Sequence, residues 1–286
     1  PGAHPLPERS DSSSIDAVSA ILMHRRTNRQ IHVLVFAGTG EGPALVAALA
    51  QAGWGVSVSV VTESAAHAYR FADLRDLHVG SFPSFEDLRA HCLTHAVDAV
   101  VDATHPFALT ISAQLQQVCM AHSLFLVRFE RPGWTGDRAS LLSGVHALAH
   151  QPLQGHRVLL ALGARHLAAA TQAGRAAGAI VKARVLPTPA AIRLAGAAGL
   201  SGEDLAVLRP LSGIRPGAVE AALCRRWAIT DVLCRQSGGA ADALWSALAE
   251  SVGFHLWKLK RPSPPETVPV VQSTQELLTS LDGLSV

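Results

Sequence analysis

From residue 31 onward, short runs of Val, Ile and Leu alternate with longer segments in which Ala and Leu recur at helical spacing. Runs of aliphatic and β-branched residues predict buried strands, and the 3.6-residue spacing predicts amphipathic helices. The first pair is the strand IHVLVFAG, residues 31–38, and the helix PALVAALAQAG, residues 43–53. Strands that alternate with helices are typical of a parallel sheet covered on both faces. The pattern therefore predicts an α/β fold.

This alternation stops at a Gly- and Pro-rich passage containing RPGWTGD, residues 131–137, and then starts again. We therefore place a linker at residues 133–154 and predict two Rossmann-like α/β domains with parallel sheets. Their expected boundaries are 31–153, which includes a Gly-rich turn, and 154–286. In proteins of this kind the default ligand site is the cleft between the two domains.

The first thirty residues differ from the rest, because they contain the polar stretch RSDSSS and lack the apolar core of a signal peptide. We interpret residues 1–30 as a disordered leader. Met23 lies just before the first strand. This position raises the hypothesis that residues 1–22 come from an over-extended translation start, which mass spectrometry of the protein from its native host would test.

Composition narrows the possible classes of function. A formal net charge of +2 on 286 residues is too small to argue for nucleic acid or an anionic membrane, and no apolar run is long enough to span one. The four cysteines are scattered, as expected of reduced, buried thiols in the cytoplasm. The fourteen histidines are also dispersed, and we predict no metal site. We expect a cytoplasmic protein, provisionally a monomer, that acts on a small molecule.

The turn within FAGTGEGPAL, between the first strand and the first helix, is a candidate phosphate site. Free backbone N–H groups and the helix dipole favour an anion there. The third glycine of the dinucleotide fingerprint GxGxxG would fall on Pro43, so close packing of helix on strand must arise differently. A tight turn with no ligand fits the spacing equally well. The candidate cofactor-binding residues are Gly38, Thr39, Gly40 and Glu41.

Glu63 lies just past the second strand, where an NAD enzyme keeps a carboxylate for the ribose hydroxyls. Taken alone, this residue favours NAD over NADP. An exposed loop acid with no ligand is an equally good interpretation.

The stretch VVDATHPFA, residues 100–108, begins as a buried strand and ends in polar and aromatic residues. Ligands of open parallel sheets bind beyond the carboxyl ends of strands, so Asp102, Thr104 and His105 are candidate catalytic residues. Pro106 forces His105 toward an extended conformation, which prevents the strand from running straight into a helix. His105 is either a proton donor or ligand contact, or a histidine that satisfies a backbone carbonyl.

The stretch CRQSGG, residues 234–239, has a similar pattern: the end of a strand is followed by small residues and then by a helix. Arg235 and the N–H groups of Ser237, Gly238 and Gly239 are suited to an anion, although a simple capped helix start also fits. Several arginines fall near predicted strand ends, which favours an acidic ligand. They are Arg128, Arg131, Arg184 and Arg209.

Together, these stretches resemble the precorrin-6A reductase family of cobalamin biosynthesis. The family's Asp-Ala-Thr-His-Pro-Phe-Ala segment is matched at every position by residues 102–108. Its Gly-Gly-Thr-x-Glu-Gly turn is matched with Ala37 in place of the first Gly. The Arg-x-x-Arg-Pro-x-Trp, Arg-Val-Leu-Pro and Ser-Gly-Gly segments correspond to residues 128–134, 184–187 and 237–239.

The resemblance covers residue 31 to the end and implies two α/β domains with NADPH and substrate in the cleft between them. It implies reduction of one ring double bond of precorrin-6A, or of its cobalt-bearing counterpart, by hydride transfer and protonation of the neighbouring carbon. The turns at 38–41 and 237–239, with Arg235, would contact the cofactor. Asp102, Thr104 and His105 would line the reacting end. The expected substrate contacts are Phe107, Arg128, Arg131 and Arg184.

The chain also departs from the family pattern. Arg235 and Gln236 replace a usual Lys-Asp/Asn pair, and the following helix lacks a frequent lysine. Arg209-Pro210-Leu211 replaces Gly-Pro-Phe, and Pro43 replaces a frequent Arg. Two alternatives therefore stay open: another NAD(P)-dependent reductase on the same scaffold, and a catalytically silent nucleotide- or tetrapyrrole-binding protein.

Overall fold

The computed structural model describes residues 30–70, 72–133, 138–209 and 215–284, which form two compact α/β units. The first unit comprises the described parts of Pro1–Thr104, Thr110–Phe129 and Val268–Val286. The second comprises those of His105–Leu109 and Glu130–Thr267. Residues 1–29 of the predicted leader, Trp134 of the family segment, and Pro210 and Leu211 lie outside the described residues.

The first unit contains a six-stranded sheet in the order β12-β5-β4-β1-β2-β3, and all its strand pairs are parallel. Strands β1, β2 and β4 are buried along their whole length, as expected of central strands covered on both faces. The strands are β1 His32–Ala37, β2 Gly55–Val60, β3 Asp76–Val79, β4 Ala99–Ala103, β5 Phe125–Phe129 and β12 Val270–Val271.

Helices on the sheet of the first unit begin at residues suited to cap them. The hydroxyl oxygens of Thr62, Ser84 and Ser273 accept hydrogen bonds from backbone N–H groups in the first turns of the helices that follow them. The helices are α1 Gly42–Gln51, α2 Glu63–Ala66, α3 Phe85–Thr94, α4 Leu109–Ala121 and α9 Thr274–Asp282, with a 3₁₀ turn at His67–Tyr69.

The second unit repeats this design with six parallel strands in the order β6-β11-β10-β7-β8-β9. Its strands are β6 Ser140–Leu142, β7 Arg157–Leu160, β8 Ile180–Val185, β9 Leu205–Val207, β10 Asp231–Arg235 and β11 His255–Leu259. Its helices are α5 Leu167–Ala176, α6 Pro189–Ala197, α7 Ala218–Arg226 and α8 Gly239–Val252, with 3₁₀ turns at Val145–His150, Ala164–His166 and Gly202–Asp204. The predicted α/β class with parallel sheets is confirmed.

In both units the strand order reverses beside a central strand. The chain of the first unit builds β2 and β3 on one side of β1 and then returns to place β4 on the other side. The second unit does the same around β7, with β8 and β9 on one side and β10 on the other. Such switch points leave a crevice outside the carboxyl ends of two neighbouring strands, where ligands of open α/β sheets bind.

The division of the chain differs from the predicted boundary between residues 153 and 154. The second unit takes up the chain at Glu130 because β6 pairs with β11. The last segment belongs to the first unit, since β12 pairs with β5 and α9 buries Leu277 and Leu281 in its core. A hydrophobic pattern read along the chain assigns each element to its sequence neighbours, so it cannot show this return.

Two further expectations concern the cysteines and the membrane. All four cysteines are free and buried, as expected. Among the described residues, no helix combines the length and the apolar character that crossing a bilayer requires.

Candidate functional site

The Gly-rich turn of the first unit lies at its switch point. Gly38 and Gly40 are exposed, and a Cβ added at Gly40 would meet no atom within 4 Å. The Gly42 N–H donates to the Thr39 carbonyl at 3.3 Å, which closes the turn before α1 begins. Glu41 holds the N-cap position without a capping hydrogen bond from its side chain. The turn thus offers an open backbone surface at the start of a helix.

Gly42 provides the close packing of helix on strand that Pro43 cannot provide. A Cβ at Gly42 would overlap the hydroxyl oxygen of Tyr69 and approach the Cβ of Ala37 to 3.1 Å. Tyr69 is itself buried, and this burial raises its pKa to about 12, so its phenol stays neutral. The position that a fingerprint assigns to its third glycine is therefore displaced by one residue.

The pairing of β1 with β4 places the candidate catalytic loop beside this turn. Phe36 lies opposite Asp102, and Ala37 lies opposite Ala103. The two strands end at the same level, so the Gly-rich turn and Thr104 leave the sheet side by side. Two stretches that are far apart in sequence form one edge of the first unit.

Asp102 anchors a buried hydrogen-bond network at this edge. Its Oδ1 accepts from the Thr104 hydroxyl at 2.6 Å and from the Thr104 N–H at 3.1 Å, and its Oδ2 accepts from Nη1 of Arg128 at 2.5 Å. The same Nη1 donates to the Ser112 hydroxyl at 2.9 Å. Both charged side chains are only 4% exposed. A buried guanidinium paired in this way holds the loop rather than facing the solvent.

His105 follows this network and is half-buried. Its Nδ1 accepts a hydrogen bond from the Phe107 N–H at 3.2 Å, and its carbonyl accepts from the Ala108 N–H at 2.7 Å. Because Nδ1 is an acceptor in this arrangement, the neutral imidazole carries its proton on Nε2. The loop therefore fixes both the tautomer and the orientation of the ring.

The Ser237–Gly239 turn lies at the switch point of the second unit, after β10. Gly238 and Gly239 have positive φ values of 65° and 70°, which favour glycine. A Cβ at Gly239 would lie 2.6 Å from Nη1 of Arg131, whose Nε donates to the Ser237 carbonyl at 2.8 Å. The turn is thus shaped to let a guanidinium approach its backbone.

A buried ion pair between Asp242 and Lys258 contacts the backbone of the Ser237–Gly239 turn. The Gly238 N–H donates to Oδ2 of Asp242 at 2.9 Å, and Oδ1 of Asp242 lies 2.6 Å from Nζ of Lys258. Lys258 also donates to the Ser246 hydroxyl at 3.0 Å. Helix α8 contains no lysine, but Lys258 of β11 places its ammonium group beside Asp242 of that helix. Since Asp242 occupies the Gly238 N–H, that group is not offered to an external anion.

Arg235 stands at the end of β10 among other positive charges. Burial lowers its pKa, and so do the nearby charges of Arg165, Arg184 and Arg131. Its guanidinium carbon lies 5.4 Å from the ring centroid of Phe107. Like charges gathered at one strand edge repel one another, and an anionic ligand would relieve this repulsion. This cluster makes the end of β10 suited to an anionic ligand.

Arg184 does not face the solvent, because it is only 9% exposed. Burial lowers its pKa, while the negative charge of the fully buried Glu220 acts in the opposite direction. Its guanidinium carbon lies 6.0 Å from the ring centroid of Trp245. Arg184 thus sits inside the second unit, whereas Arg209 is exposed. Glu63 is also exposed, in the first turn of α2.

Several residues of both sites were not among the candidates predicted from the sequence. Ser112 links α4 to Arg128, and Asp242 with Lys258 underlies the second turn. Arg165 follows β7 at the same switch point as Arg235, and both arginines lower the pKa of His166 after the larger effect of burial. The available signal for Arg165 was its position two residues after Gly163, a glycine that follows a strand in ALGARH.

Comparison with known proteins gives concordant matches. A family model described as precorrin-6x reductase CbiJ/CobK matches residues 32–282. A cobalt-precorrin-6A reductase of Synechocystis sp. is 31% identical over 245 residues, covering 83% of this chain and 90% of the relative. A precorrin-6A reductase of Mycobacterium tuberculosis is 30% identical over 255 residues, covering 88% and 98%. A solved structure described as CobK precorrin-6A reductase has 25% identity and a TM-score of 0.69, covering 89% and 97%.

Replacing Gly42 by Ala tests the packing role of this residue. The new Cβ would overlap the buried Tyr69 hydroxyl, and overpacking of this kind destabilises by about 1–3 kcal/mol. We expect urea-induced unfolding to show that loss for Gly42→Ala. The matched control is Gly40→Ala, where the added methyl meets nothing. Equal stability of the two variants would contradict the packing role.

Proposed function

Because the chain belongs to the precorrin-6x reductase family, we propose that it reduces precorrin-6A, or its cobalt-bearing counterpart, in cobalamin biosynthesis. The resemblance seen in the sequence is confirmed, and it makes the chain an oxidoreductase. The finer proposal is that NADPH is the reductant. A ring carbon–carbon double bond is then the acceptor, with hydride added to one carbon and a proton to its neighbour.

The observation that carries this proposal is that β1 and β4 are neighbours and end at the same level, so the polar stretches that follow them begin next to each other. The Gly-rich turn follows one strand and the family segment 102–108 follows the other. A nucleotide phosphate site beside a loop of polar side chains at a switch point is the layout that supports dinucleotide-dependent chemistry in open α/β sheets.

The residues of the first turn fit a nucleotide cofactor. The open space at Gly40 would admit a phosphate against the backbone, and Gly42 lets α1 start close to the sheet. The unpaired N–H groups of a helix start favour an anion. Residues Gly38 to Glu41 would hold the cofactor phosphates. When bound, NADPH supplies the hydride of the reaction.

The second unit supplies the charge that suits an anionic ligand. Arg235, Arg131 and Arg165 provide positive charge at the end of β10 and β7, beside the Ser237–Gly239 turn. Their ligands would be the cofactor phosphates or the carboxylates of the tetrapyrrole. The apolar ring of Phe107, already covered by Arg235, adds a flat surface for a conjugated macrocycle.

Asp102, Thr104 and Arg128 act as positioning residues in this proposal. Their hydrogen bonds hold the loop at the end of β4, and the buried pair leaves neither charge for a ligand. Arg184 has a comparable internal role beside Glu220. Substrate carboxylates are therefore assigned to Arg131 and Arg235 rather than to Arg128 and Arg184.

His105 acts through its Nε2–H group. A neutral imidazole would have to become imidazolate to release that proton to carbon, so we assign it a hydrogen bond instead. Nε2–H would donate to the substrate or to an ordered water molecule, and that water would relay a proton from the solvent to the carbon, taking one proton as it gives one. The fixed Nδ1 acceptor contact keeps this donor aimed in one direction.

An anaerobic assay with purified protein tests the reductase proposal directly. We expect precorrin-6A and NADPH to be consumed one for one, followed together by the tetrapyrrole spectrum and by NADPH absorbance. The cobalt-bearing substrate and NADH serve as parallel samples. A clear preference for NADH would favour the alternative reductase suggested by the exposed Glu63. Binding of both ligands without turnover would favour the silent binding protein.

Substitution of His105 separates hydrogen-bond donation from proton release. We expect His105→Ala to lower kcat by roughly a hundredfold or more with little change in the Kd for NADPH. His105→Gln should recover part of the loss, because the glutamine amide can place an N–H near the position of Nε2. Unchanged turnover in His105→Ala would remove the residue from the mechanism. A glutamine variant as slow as the alanine variant would favour direct proton release.

Substitution of Arg235 tests whether the arginines near the end of β10 bind the cofactor or the substrate. Loss of a charge-assisted hydrogen bond costs about 1.5–3 kcal/mol, so Arg235→Gln should raise one KM by roughly ten- to a hundredfold. A rise in the KM for NADPH assigns the cofactor, and a rise in the KM for the tetrapyrrole assigns the substrate. Arg235→Lys should lose less, and Arg226→Gln, at an exposed site ending α7, is the control. Two unchanged KM values would exclude anion binding by Arg235.

A further inference from the structure

A second group of chemically capable side chains lies at the opposite edge of the first unit's sheet. Asp76 is the first residue of the edge strand β3, while His91 and His95 lie in the last turn and at the C-cap of α3. Since the strands are parallel, their amino ends form one edge and their carboxyl ends the other. This group is therefore separate from the Gly-rich turn and from the Asp102 network.

The three side chains converge on one point. One ligand atom from each, the carboxylate oxygen and one nitrogen from each imidazole, lie within 4.8 Å of one another. Oδ2 of Asp76 lies 4.0 Å from Nε2 of His91 and 4.0 Å from Nδ1 of His95. The two histidines are four residues apart, so one helical turn brings them to the same face of α3.

His91 gives a second, independent observation that points to a ligand at this group. Its side chain is only 11% exposed, and its buried Nε2 has no hydrogen-bond partner among the described residues. A buried imidazole nitrogen that lies 4.0 Å from a carboxylate oxygen, with no hydrogen-bond partner among the described residues, is suited to a cation.

Packing around the group holds His91 and His95 in place. The His78 ring lies against His91 with centroids 5.3 Å apart, and Phe82 stacks on His78 at 4.2 Å. On the other side, Nδ1 of His32 contacts the His95 carbonyl at 2.8 Å. Metal ligands are typically oriented by such a surrounding layer.

We propose that Asp76, His91 and His95 form a binding site for a divalent transition metal of the zinc type. Two imidazoles and one carboxylate are a ligand set that Zn²⁺ and Co²⁺ favour, and a water molecule would complete a tetrahedron. Metal–ligand bonds of about 2.0–2.2 Å require ligand atoms roughly 3.3 Å apart, so the side chains move inward by less than 2 Å on binding. His95 and Asp76 are about one-third exposed, which gives the ion an entry path.

The consequence of such a site is a link between β3 and α3. An edge strand has neighbours on one side only, and β3 is short and half-buried. A metal that joins its first residue to the end of α3 would stabilise this edge without taking part in the reductase chemistry. No metal site was predicted from the sequence, because the histidines were taken as dispersed. The four-residue spacing of His91 and His95 in HCLTH was the available signal for this site.

Metal titration of the full-length protein tests this site. After removal of metal with a chelator, we expect calorimetry to show one equivalent of Zn²⁺ bound per chain and thermal unfolding to shift upward. Co²⁺ should give the visible absorption typical of four-coordinate sites, whereas Mg²⁺ should give no effect. His95→Gln and Asp76→Asn, both at partly exposed positions, should each weaken Zn²⁺ binding at least about tenfold.

The control is His150→Gln. His146 and His150 have the same four-residue spacing but are exposed on a 3₁₀ turn, whose three-residue period separates them around the axis. Unchanged Zn²⁺ affinity in this variant, with circular dichroism showing that all variants fold, supports the proposed site. The proposal fails if the wild type takes up no stoichiometric metal. It also fails if the Asp76 and His95 variants bind as tightly as the wild type, or if His150→Gln weakens binding equally.

Discussion

The site of the first unit depends on the parallel pairing of β1 with β4. Parallel strands must be joined by crossover connections, so the chain builds β2 and β3 outward before it returns to the other side of β1. The register then sets Asp102 beside Phe36, and two stretches more than sixty residues apart end at one level. If this pairing slipped by a residue, every side chain of β4 would change face and the network around Asp102 would be lost.

Each unit also buries an ion pair beneath its loop at the switch point. Asp102 pairs with Arg128 in the first unit, and Asp242 pairs with Lys258 in the second. Removing one partner of such a pair costs about 3–5 kcal/mol, although the intact pair adds little net stability over apolar residues. The carboxylates also accept loop hydrogen bonds, from Thr104 and from the Gly238 N–H. We infer that these pairs hold the loops in one conformation, which a binding site needs more than stability.

The local elements could be predicted from the sequence because each carries its own pattern of apolar residues. The strands and helices around the Gly-rich turn, the family segment and the Ser-Gly-Gly turn were predicted and are confirmed. The short strands β3, β6 and β12 were missed, since each is short and does not belong to a longer run of apolar residues. The return of residues 268–284 to the first unit depends on long-range pairing, which no local pattern encodes.

Side-chain roles were harder to predict than elements for the same reason. The arginines near strand ends were treated as one class, but burial divides them. Arg128 and Arg184 are buried, Arg131 is half-buried and Arg209 is exposed. A sequence shows the type and approximate place of a charge, not its partner. Asp102 and Glu220, which account for the two buried arginines, lie far from them along the chain.

The second half of the chain departs from the family pattern, but nearby residues supply positive charge there. A lysine absent from α8 would matter if the buried carboxylate of Asp242 had no cation, but Lys258 of β11 supplies one. Arg235 keeps a positive charge at the end of β10, where Arg165 adds to the field. The positive charge of Lys258 is thus taken up by Asp242, whereas Arg235 and Arg165 place positive charge at the strand ends. Because this charge is present in the second unit, we infer that the substitutions alter the fit of an anionic ligand more than the ability to bind one.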